Sequence, residues 1–199
     1  MRFHKIISTV FHPIVIPTVG VIIYFLISPL PIERNQKLVT LILIFGATYI
    51  LPLLLLILLK KFNLINSYQL ESKKERRIPL GLMLLLFYGL GNLFSYVDAL
   101  QDLSLLFYAT SIGLILTYIL LYFKIKSSIH LLSIGISCGF FMLLSIVDNA
   151  SYLLIIIINF LIGGLLASSR LHLKAHQPKE VYLGFFIGIS SVFGLYWIL

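Results

Sequence analysis

The sequence predicts an all-α fold, a polytopic transmembrane bundle of about seven helical spans, and three observations carry that prediction. Only 11% of the 199 residues are charged, against roughly 25% in a soluble domain. Mean hydropathy is +1.06. Apolar runs close to the roughly 20 residues that cross a bilayer's hydrocarbon core recur from one end to the other. They leave no stretch for a separate soluble domain, so residues 1–199 read as one integral membrane domain. Lipid-exposed backbone must satisfy its own N–H and C=O groups, which an all-apolar run of that length does only as a helix; barrel strands are shorter and alternate.

The first span is Ile7–Ile27, after the start Met1-Arg-Phe-His-Lys5. Pro13, Pro17 and the lack of a small-residue cleavage site before Pro29 make it a retained span rather than a signal peptide. Leu38–Leu59 is bounded by Lys37 and Lys60-Lys61, with a kink expected at Pro52. Ile78–Val97 follows a charged run, Leu103–Phe123 begins past Asp98 and Asp102, and Ile129–Val147 begins past Ser127-Ser128. Tyr152–Ala167 is short, and Val181–Leu199 closes the chain. Gly135/Gly139 in the fifth span and Gly184/Gly188 in the seventh stand at helical spacing, which predicts close backbone packing.

The net charge of +8 comes from 15 Lys and Arg set in short connectors rather than on one basic face, which fits anionic lipid and excludes nucleic acid as the partner. Seven crossings put all of them except Arg34 and Lys37 on one side. By the positive-inside rule that side is cytoplasmic, in the cell's inner (cytoplasmic) membrane. The single Cys138, inside an apolar run, excludes an intrachain disulfide and offers no metal-ligand spacing.

The ionisable residues of the crowded side fall into three clusters, each where a connector re-enters the membrane: Glu71 to Pro79, Lys124 to His130 and Ser169 to Glu180. Together they offer Arg, Lys, Ser and His, the groups that bind and work on a phosphate: Arg forks onto oxygen pairs, helix starts add positive potential, and His attacks or donates a proton. Ser128 and Pro178 sit where a helix start takes a hydroxyl cap and a first-turn proline.

The third cluster, Ser169-Arg170, five residues, His176, three residues and Glu180, resembles the SRxxxxxHxxxD signature of the type 2 phosphatidic acid phosphatase and haloperoxidase family. Ser127-Ser128-Ile129-His130 resembles its PSGH, and Arg77-Ile-Pro79 the end of its KxxxxxxRP, in the same order over roughly residues 70–199. The chain departs from the pattern at Glu180 for Asp, at the missing Pro and Gly of PSGH, at Leu70 where Lys is expected, and at the extra Ile78. The resemblance implies a membrane lipid phosphate or diphosphate as substrate and hydrolysis with no metal or other cofactor. In that reading His176 attacks phosphorus, Glu180 orients it, and His130 protonates the leaving oxygen. Arg77, Ser128 and Arg170, with Lys126, hold the phosphoryl oxygens. A silent descendant that binds headgroups or a partner is the alternative.

Plainer readings cover the other polar residues. Lys60, Lys61, Lys73 and Lys74 are interfacial anchors. His172, although four residues from His176, lacks a third ligand for zinc, and His4 and His12 are expected to form a polar ring at the interface. Asp98, Asp102 and Asp148 are expected to be solvated loop charges on the opposite side.

Overall fold

The computed structural model describes residues 1–28, 31–66 and 73–198, and every regular element among them is helical. In chain order these are α1 (Arg2–Val10), α2 (Ile16–Ile27), α3 (Arg34–Phe45), α4 (Leu51–Lys61), α5 (Lys73–Ser95), α6 (Gln101–Tyr122), α7 (Ile129–Val147), α8 (Leu153–His172) and α9 (Pro178–Ile198). A π-turn over Gly46–Ile50 fuses α3 and α4, and a 3₁₀ turn over Asp98–Leu100 leads into α6. Among the described residues six helices are long and apolar enough to cross a membrane: the fused α3–α4 and α5 to α9. The protein is an integral membrane helical bundle.

The expected first span is two helices rather than one. Pro13 cannot donate to the helical ladder and pushes His12 out of the α region, so the chain turns between Val10 and Ile16. The 12 residues of α2 measure about 18 Å, short of the ~30 Å hydrocarbon core. Near its C-terminal end Tyr24 ties α2 to the start of α6, its hydroxyl donating to Asp102 Oδ2 at 2.8 Å. α1 packs on the end of α8, turns Ser8 inward and leaves Phe3, Ile6 and Val10 exposed along its outer face.

Pro52 lacks the N–H that would reach back to Thr48, and the preceding turn widens to π geometry there. α5 begins five residues before the expected Ile78, which places Pro79 inside the helix. α8 continues past Ala167, so that Arg170 and His172 occupy its last turn, where cations suit the helix dipole.

α7 is the most enclosed helix and packs along α9. The four glycines make that contact. A Cβ on Gly135 would meet the Phe185 carbonyl oxygen, one on Gly184 that of Ser128, and one on Gly188 that of Leu132, while Gly139 faces the Ile189 backbone. The connectors after α4, α6, α7 and α8 share one device. Asn63, Lys124, Asn149 and Lys174 take left-handed φ of 49° to 62° just past the helix. For α8, Ala175 N–H then donates to Arg170 O at 3.1 Å, closing a Schellman turn. That turn folds residue 176 back over the helix it has just left.

Candidate active site

The polar end of the bundle gathers α1, the starts of α5, α7 and α9, and the last turn of α8. Its centre is the pair His176 and Glu180, with Nδ1–H of His176 donating to Glu180 Oε2 at 2.8 Å. They do not share a helical face, because His176 lies in the turn before Pro178 and Glu180 in the first turn of α9. Gln177 N–H also donates to Glu180 Oε2, at 3.2 Å, so the carboxylate caps α9 from its third position while it orients the ring. With Nδ1 committed as donor, a neutral His176 presents its lone pair on Nε2. The residue is 9% exposed. Burial pushes its pKa below the ordinary 6.5; the Glu180 hydrogen bond opposes that shift, and the nearby Arg170 and Arg76 charges add to it.

Arg170 reaches across to α1, where Nη1 donates to Ser8 Oγ at 2.8 Å. His130, in the first turn of α7, directs Nε2–H at the Ser8 carbonyl oxygen, 3.2 Å away, with Ser8 Oγ at 3.5 Å. The His12 ring stands edge-on to His130, with centroids 5.2 Å apart. Ile14 N–H donates to His12 Nδ1 at 3.3 Å, which leaves the proton of a neutral His12 on Nε2. Burial, then the Arg170 charge, lower the pKa of His12. His4 completes the seam, stacked on His172 with centroids 4.1 Å apart and with Nδ1 3.2 Å from Ser169 Oγ.

Two buried polar atoms have no partner among the described residues, Ser128 Oγ and Arg170 Nε. Ser128 does occupy the N-cap of α7, as its place in the sequence predicts, but its hydroxyl makes no capping bond. Its backbone N–H instead ties α7 to α9 through Glu180 O at 2.9 Å. Such orphaned groups are rare in folded proteins and call for an explanation.

His12, Arg76, His130, Arg170 and His176 form the polar end of one cavity of about 240 Å³. The rest of its lining, from α2, the π-turn, α4, α5, α6 and α7, is mostly apolar, with Met83, Phe87, Phe107, Phe140 and Phe141 among it. The expected site residues therefore divide. His130, Arg170 and His176 line the cavity, Glu180 is bonded to His176, and Ser128 is buried one residue from the wall. Lys126 is half-buried in the connector, away from the lining, and Arg77 is exposed.

Arg76 takes the place expected of Arg77. Once α5 begins at Lys73, positions 76, 79, 80, 83 and 87 share one face, and all five line the cavity. Arg77, nearer the proline in sequence, lies about 100° round the helix. His12, expected in an interfacial polar ring with His4, lines the cavity instead, and Ser8, which the sequence reading passed over, contacts Arg170 and His130. Their signal was present in the spacing of His4, Ser8 and His12, each four residues from the last within an apolar stretch. Leu70, where the signature expects Lys, and Glu71 of the first cluster lie outside the described residues. Among the described residues no group of three or more His, Cys, Asp or Glu stands close enough to hold a metal ion.

No family model matches this chain, and no curated protein or solved structure does.

Proposed function

We propose that the protein is an integral-membrane phosphatase acting on lipid phosphates or diphosphates through a phosphohistidine, a divergent relative of the type 2 phosphatidic acid phosphatases. The observation that carries the reading is the amphiphilic cavity, with an oriented His–Glu pair, a second histidine and two arginines at one end and apolar side chains beyond. A headgroup phosphate fits the first part and hydrocarbon the second. His176 Nε2 attacks phosphorus and forms the N–P bond. The P–O bond to the lipid breaks as His130, in its protonated form, gives a proton to the leaving oxygen; the neutral ring then takes a proton from the water that cleaves the phosphohistidine to phosphate, which restores both histidines. Arg170 and Arg76 neutralise the phosphoryl oxygens, and Glu180 stabilises the ring's positive charge as it develops.

Ser8 marks where an oxygen of the substrate belongs, since it engages both Arg170 and His130. The substrate exchanges for that contact. All Lys and Arg other than Arg34 and Lys37 lie toward the end of the bundle that holds the site, which favours a cytoplasmic-facing site in the cell's inner membrane.

The same Ser8 contacts favour a second reading, in which the chain's own N-terminal helix permanently fills a silent headgroup site. Phosphate release from a panel of lipid phosphates and diphosphates by the purified protein in detergent separates the two, with His176→Ala alongside. The phosphatase reading expects release that falls by at least about a thousandfold in the variant. Folded protein that releases no phosphate from any lipid supports the silent site.

A further inference from the structure

We infer that the cavity admits one hydrocarbon chain, no longer than one leaflet is deep, and that Phe140 is the stop that sets this limit. The inference rests on the phosphate site proposed above and specifies the substrate as the phosphate or diphosphate ester of a single chain of bounded length.

Depth follows from the helices that line the cavity. On α7 the lining runs from Ile129 to Phe141, twelve residues, or about 18 Å of rise. On α5 it runs from Arg76 to Phe87, a similar ~16 Å. Both are a little over half of the ~30 Å hydrocarbon core. The volume of about 240 Å³ falls below the roughly 300–1,000 Å³ of sites that enclose drug-sized ligands. So small a volume favours one chain over two.

The far end is closed by aromatic rings. Phe107, Phe140 and Phe141 are each at most 1% exposed. Phe107 is held between Phe87 and Phe94, with centroids at 5.9 and 5.5 Å. Phe140 is held between Phe141 and Tyr24, at 5.4 and 5.9 Å, and Tyr24 is itself fixed by Asp102. Phe140 also lines a second cavity, of about 350 Å³, at the opposite end of the bundle beside Asp102 and Tyr108. Its ring is therefore a partition, and removing it joins the two spaces.

The test measures binding and phosphate release for straight-chain monoalkyl phosphates of rising length, and for the matching alcohols, with the protein in nonionic detergent. Wild-type affinity should rise about fourfold per methylene and stop rising at the length that reaches the rings. In Phe140→Ala the rise should continue to longer chains, with Phe140→Leu between. Leu166→Ala, which truncates an equally buried side chain that lines neither cavity, should leave the limit unmoved and so separates a lost partition from a loosened fold. Affinity that never levels off in the wild type, an unchanged limit in Phe140→Ala, or equal binding of a two-chain phosphatidic acid would each overturn the inference. Alcohols binding as tightly as phosphates, with the length limit intact, would instead sink the phosphate site and leave the chain stop standing. Tight, length-limited phosphate binding without release would leave the stop standing and remove the phosphatase.

Discussion

The two ends of this bundle both carry ionisable side chains, yet they treat them in opposite ways. At the end away from the cavity's mouth, Asp102 accepts from Tyr24 at 2.8 Å and Asp148 from Tyr152 at 2.7 Å, each carboxylate tied to a phenol of a neighbouring or following helix. At the other end Arg170 Nε and Ser128 Oγ are buried without a partner among the described residues, and His130 and Arg170 spend their bonds on one serine of a short surface helix. Paired carboxylates hold helices together. Underpaired donors around a cavity cost stability and remain available to an anion, which is how a binding site differs from a structural network.

The largest break in that contrast should come from the arginines. Arg170→Met is expected to lower phosphate release by a hundredfold or so, as loss of a transition-state donor does, while leaving the melting temperature unchanged or raised, because it removes a buried charge with an orphaned nitrogen. Arg76→Ala should lose about tenfold to a hundredfold, whereas Arg77→Ala, exposed on the other side of α5, should keep wild-type rates. A loss with Arg77 and not with Arg76 would reverse the assignment of that helix face.

At the opposite end Tyr24→Phe is expected to cost about 1.5–3 kcal/mol of stability, the range for a hydrogen bond to a charged group. Rates on short-chain substrates should stay near wild type, measured by thermal unfolding beside the phosphate assay. Activity lost without a change in melting would mean that the two ends are coupled and the contrast is false.

The pH profile gives a smaller effect. His176 must be neutral to attack, and its pKa lies below 6.5 because burial and the Arg170 and Arg76 charges outweigh the Glu180 hydrogen bond. The acid limb of kcat/KM should therefore fall below pH 6.5. Arg76→Gln should move it upward and Glu180→Gln downward, with His12 and His130 the other titratable rings facing the site. Because protonation is less favourable in the folded chain, the same group's contribution to stability is present above pH 6.5 and lost as pH falls through the lowered value. A limb above 6.5 would show that another group controls the rate.

Much of this was legible in the residues. The spans Ile129–Val147 and Leu103–Phe123 stand almost where the apolar runs place them, and the glycines of α7 and α9 meet as their spacing predicts. Boundaries shifted where charge, rather than backbone geometry, had been taken as the helix end. α5 begins within its charged run and α8 ends within its own, because a helix at the membrane surface can carry cations in its terminal turns. Reading Asp102 as a solvated loop charge failed for a different reason: its partner, Tyr24, is 78 residues away.

The sequence by itself determined that the protein is a membrane-embedded helical bundle with its cations crowded at one end, since hydropathy, run length and charge placement are properties of the chain taken a segment at a time. It also named His130, Arg170, His176 and Glu180 through their spacing. Only the tertiary structure decided that Arg76 rather than Arg77 faces them, that Ser8 and His12 of the N-terminal segment join them, and that four phenylalanines from α5, α6 and α7 close the space below. Helical phase and long-range packing bring such residues together, and neither is fixed until the helices have chosen their neighbours.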